Sequence, residues 1–147
     1  MRTELSIEIK QVAVCLFVVA AALIAVGVIS GTLARHVVQI IPLVLVFGLI
    51  PRWPAAGAWA AVGALGLWFA AMALVWAYLL GLSDIASGSY TNVEVFLTIV
   101  IAGCSAHGAQ KAVQGGRGIP LAAKAAALAG GLVVQFAFVV ASLQLFA

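Results

Sequence analysis

The chain has 147 residues, 66% of them hydrophobic and 7% charged, with a mean hydropathy of +1.27. A water-soluble domain carries about 25% charged residues to cover its surface, so most of this exterior must face lipid. The net charge of +3 forms no basic patch with interleaved aromatics, which excludes a nucleic-acid surface; its cations sit in short connectors where topology explains them.

The composition predicts an all-α, polytopic membrane helix bundle, with residues 1–147 as one transmembrane domain and no connector long enough for a second. The first span is predicted over residues 11–30. Its apolar run is preceded by Arg2, Glu4, Glu8 and Lys10, and it suffices for a hydrocarbon core of about 30 Å at about 1.5 Å per residue. Ser30 and Gly31 also suit a cleavage site, but the run exceeds the roughly 7–15 residues of a signal-peptide core, and the leader carries two acids, so the span is expected to be retained.

A second, shorter run is predicted over residues 34–51, headed by Arg35 and His36. Pro51-Arg52-Trp53-Pro54 then breaks the chain, and Pro54 suits the first turn of the next helix. The third run, over 55–82, has no charge. A polar loop with Asp84 and Gly88 leads to a fourth span over 92–110, opened by the capping box Thr91-Asn92-Val93-Glu94. Residues 109–120 read as a flexible basic loop with Lys111, Gly115, Gly116, Arg117 and Gly118, and a fifth span covers 120–146.

The cations decide whether the short second run crosses. With five spans, Arg2, Lys10, Arg52, Lys111, Arg117 and Lys124 share one side and Arg35 stands alone on the other. With four, the division is two against five, and the positive-inside rule prefers six against one. The expectation is a bacterial-type inner membrane protein with its N-terminus in the cytoplasm and its C-terminus outside. Trp53 and Trp59 then lie at the inner interface, and Trp76, Tyr78 and Tyr90 at the outer one.

Small residues recur at helix-packing spacing: the pair Gly27 and Gly31, the stripe Ala73, Ala77 and Gly81, and the ladder Ala122, Ala126 and Gly130. The ladder suits internal packing or a partner subunit. A Ser-Gly pair after a long span occurs twice, at Ser30-Gly31 and Ser87-Gly88, a faint echo of the repeats found in transporters.

The candidate site is an outward-facing polar cluster of Arg35, His36, Gln39, Asp84 and Glu94. Arg35 heads a helix, where the positive dipole end disfavours a cation, so an acidic partner is expected from Asp84 or Glu94. Such a cluster suits a solute mouth, a proton-linked site or a docking surface; capping by Glu94 and lipid phosphate at Arg35 explain the same residues without function. His36 and His107 fall at opposite membrane faces and so cannot share an iron, and no metal or cofactor motif is present. Cys15 and Cys104 fall at similar depth and read as small buried apolar residues, and Gln135 should find an interhelical hydrogen bond.

These readings favour a non-enzymatic accessory or structural subunit, or a self-associating bundle, in contact with lipid, with copies of itself or with membrane-protein partners. The alternative is a small-solute or ion transporter or channel with the polar cluster at its mouth.

Overall fold

The computed structural model describes residues 5–83 and 89–146. Among these residues all five elements are α-helices: α1 (Ile7–Ile29), α2 (Leu33–Leu49), α3 (Pro54–Leu79), α4 (Asn92–Gly115) and α5 (Leu121–Leu145). The four longer helices are long and apolar enough to cross a membrane. At 17 residues, α2 rises about 25 Å, somewhat less than a typical hydrocarbon core.

Local chemistry sets the ends. Ser6 caps α1 by accepting from the Ile9 amide at 3.4 Å, and Glu8 adds a favourable charge in the first turn. The helix therefore starts four residues before the apolar run suggested. Pro54 occupies the first turn of α3 as the sequence predicts. The predicted capping box on α4 is formed in full, with Thr91 Oγ1 accepting from the Glu94 amide and Glu94 Oε2 accepting from the Thr91 amide.

Two glycines expected in packing stripes instead stop helices. Gly31 and Gly81 have φ of +69° and +70°, and a Cβ on either would meet nothing within 4 Å. The Thr32 amide donates back to Gly27 O and the Leu82 amide to Ala77 O, both at 2.8 Å. Each is a left-handed cap that ties off terminal carbonyls, a conformation glycine adopts without a Cβ penalty.

The expected loop over 109–120 is also corrected, because α4 continues through Gly115. Lys111 is on the helix, where its Nζ donates to Gln114 Oε1 at 3.2 Å. The Gly115 backbone packs on Ile9, and Gly116 O accepts the Trp59 indole N–H at 2.7 Å. That end of α4 is fastened at two points.

The helices close a ring in the order α1, α2, α5, α3, α4, with α3 also reaching across to α2 and α1. Helix α3 is the most buried of the long helices and α5 the least. Ile9 with Gly115, Ile50 with Gly57, and Trp59 with Gly116 and Lys124 mark one end of the bundle. Gly27 with His36, Arg35 with Phe146, and Trp76 with Thr98 mark the other. Lys10, Arg52, Lys111, Arg117 and Lys124 thus belong to the first end and Arg35 to the second, while Arg2 lies outside the described residues.

Two seams hold the core together. Glu94, Thr98, Ile101, Ser105, Gly108 and Ala112 form a buried stripe on α4, spaced alternately by four and three residues. It fits between α1 and α3, and a Cβ on Gly108 would meet Cys15 Cβ at 2.8 Å and Leu65 Cδ1 at 2.7 Å. The other seam joins α3 to α5 through Gly63 and Gly131, whose missing side chains let the backbones touch. The ladder Ala122, Ala126 and Gly130 is not that contact: all three are exposed, and a Cβ on Gly130 would meet nothing within 4 Å.

Candidate functional site: the polar seam between α2 and α5

Pro42 sits inside α2 and is fully buried. Lacking an amide proton, it leaves the Val38 carbonyl without its usual helical donor. One turn before the proline, the Gln39 carbonyl accepts from Gln135 Nε2 of α5 at 2.8 Å. The Gln39 side chain donates through Nε2 to Ser142 Oγ at 2.9 Å, and Ser142 donates to Val139 O at 2.7 Å. Gln135 and Ser142 have no exposed surface, and Gln39 is buried.

Arg35 extends this seam to the end of the bundle. Its Nη2 donates to Phe146 O at 3.0 Å, which closes the last turn of α5 against the first turn of α2. A cation there interacts well with the carbonyl end of α5, offsetting its poor place at the amide end of α2. Arg35 Nε and Gln135 Oε1 are buried without a hydrogen-bond partner among the described residues. An unpaired buried group of this kind costs about 1–3 kcal/mol.

The other members of the predicted cluster go elsewhere. His36 turns toward α1, its Nδ1 lying 3.1 Å from Thr32 O, and its ring covers Gly27. Glu94 is on α4, which does not pack on α2, and its carboxylate is occupied by the Thr91 amide and hydroxyl, both at 2.8 Å. It is therefore not the partner of Arg35, which uses a backbone carbonyl instead. Asp84 lies outside the described residues. Arg35 and Gln39 are brought together, and His36 and Glu94 are not part of their seam.

Gln135 makes the interhelical bond expected of it. Ser142 and Pro42 were not singled out from the sequence, although Ser142 stands seven residues after Gln135 on the same helical face. The thiols of Cys15 and Cys104 adjoin across α1 and α4, and both cysteines are free. His107 lines a cavity of about 210 Å³ with Lys10, Gln11 and Cys15, at the end of the bundle opposite His36. Among the described residues, no group of three or more His, Cys, Asp or Glu side chains is arranged to hold a metal ion.

Comparison with protein families, with curated proteins and with solved structures returns no match to this chain.

Proposed function

We propose that this chain is a non-enzymatic accessory or structural subunit of a bacterial-type inner membrane, acting by lateral association of α5 with a second copy or a partner membrane protein. The carrying observation is the state of α5. It is the least buried long helix, and its small residues Ala122 and Ala126 face outward. Small side chains let a neighbouring helix approach closely, where lipid gives no hydrophobic reward for larger contacts. The inward polar groups support the same reading, since Gln39, Ser142 and Gln135 spend their bonds joining α2 to α5. The charge asymmetry supports a cytoplasmic N-terminus and an external C-terminus.

Extraction of the natively expressed protein into nanodiscs, followed by native mass spectrometry, tests this. Assembly at fixed stoichiometry, with itself or with another polypeptide, is the expected result, and a partnerless monomer sinks the proposal. A transporter is the second reading, favoured by the unpaired Arg35 Nε and Gln135 Oε1 along one seam. In a transporter Arg35→Ala abolishes flux and leaves assembly intact; in a subunit it loosens the α2–α5 contact or changes nothing.

A further inference from the structure

A cavity of about 310 Å³ opens between α2, α3 and α5. Its walls are apolar, formed by Pro42, Val46, Leu49, Ala127, Gly130 and Val134 among others. Gly130 and Val134 are exposed on the outer surface of α5, so the cleft faces the bilayer.

Two basic side chains stand at the same end of the bundle as Leu49, beyond the residues that line the cavity. Arg52 stands three residues beyond Leu49, and Lys124 three residues before Ala127. Lys124 Nζ is held 5.6 Å from the centre of the Trp59 ring, a cation–π contact that leaves the ammonium free to donate. Arg52 is exposed, with Nη1 3.4 Å from Gly48 O, and the adjacent Trp53 is 60% exposed, as suits a residue at the headgroup level. The described acids stand elsewhere: Glu94 at the far end of the bundle, and Glu8 on α1, which does not pack on α5.

We infer that this cleft is a binding site for an anionic phospholipid, with one acyl chain in the α2–α5 cleft and the phosphate between Arg52 and Lys124. An apolar slot at bilayer depth, with Arg52, Lys124 and the tryptophans Trp53 and Trp59 at the same end of the bundle, matches both halves of such a molecule. Basic pockets between helices recognise lipid phosphates by the same chemistry. A zwitterionic lipid with the same chains fits the slot but brings its own cation toward Arg52 and Lys124.

The test is native mass spectrometry of the purified full chain in neutral detergent, titrated with palmitoyl-oleoyl phosphatidylglycerol or with phosphatidylcholine of the same chains. Retention of phosphatidylglycerol in preference to phosphatidylcholine is expected. In R52Q/K124Q that binding falls about thirtyfold, the ratio for two basic side chains at an anionic surface. Gly130→Leu also ejects the lipid, and since a Cβ there meets open space and leucine favours the helix, its melting temperature does not fall below that of the parent. Lys111→Gln, at the same end but on α4, retains the lipid. Glycerol phosphate without acyl chains does not compete. Equal binding of both lipids, equal loss in K111Q, or lipid retention by G130L overturns the assignment. So does a dimer that carries no phosphatidylglycerol at saturating lipid, seen as doubled mass without a lipid adduct.

Discussion

Gly63 of α3 and Gly131 of α5 face each other with no side chain between their helices. A Cβ on Gly63 would fall 2.6 Å from the Leu132 amide nitrogen, and one on Gly131 would fall 2.9 Å from Ala60 Cα. The obstructing atoms are backbone, so neither helix can yield locally, and a larger residue must push the two apart. This contact ties the exposed α5 to the buried α3 and fixes which face of α5 remains outside.

Gly131→Val is expected to destabilise the bundle by about 1–3 kcal/mol, the usual cost of overpacking a close contact. Gly66→Ala and Gly103→Ala, where a Cβ meets nothing within 4 Å, should not lower the melting temperature in detergent, since alanine is the better helix former. Equal effects at all three positions would show that the α3–α5 approach is looser than described.

The α2–α5 seam makes a second prediction. A double-mutant cycle with Gln39→Ala and Ser142→Ala should give a coupling of about 0.6 kcal/mol, and no more than about 1.7 kcal/mol, the range for interhelical hydrogen bonds in membranes. Reversible unfolding in mixed micelles measures it. Strict additivity would mean that Gln39 Nε2 and Ser142 Oγ are not bonded in the membrane.

Cys15 and Cys104 give a distance test that needs no new residues. An apolar oxidant should join them within one chain, seen as a mobility shift that reductant reverses and that Cys104→Ser abolishes. Chain-to-chain products instead of the intramolecular one would contradict the antiparallel packing of α1 on α4.

Thr91→Ala removes the side-chain acceptor of the α4 cap and should cost about 1 kcal/mol of stability. Glu94→Gln keeps the size and an acceptor oxygen, and should cost less. A reversal of that order would give Glu94 a part beyond capping.

The helices were readable in the sequence because lipid demands long apolar runs, and proline punctuates them at Pro51 and Pro54. Their ends were read less well. The α4 terminus was missed because Lys111 and Gln114 look like loop residues, whereas Ala112 and Gly115 carry the buried stripe onward. The exposed ladder on α5 was visible as a spacing, but its neighbour Gly131 forms the contact, and only the ring order of the helices distinguishes the two. Within the polar cluster, helical spacing puts Arg35 and Gln39 on one side of α2, and each bonds to α5. Depth alone grouped Glu94 with them, and depth does not say which helices are neighbours.

Lateral association through α5 is tested most directly by photocrosslinking in native membranes. A photoreactive residue at Val133, 63% exposed on α5, is compared with one at Phe17, 68% exposed on α1. Association through α5 gives discrete protein adducts of fixed mass from position 133 and lipid adducts alone from position 17. Lipid adducts alone from both positions would contradict it.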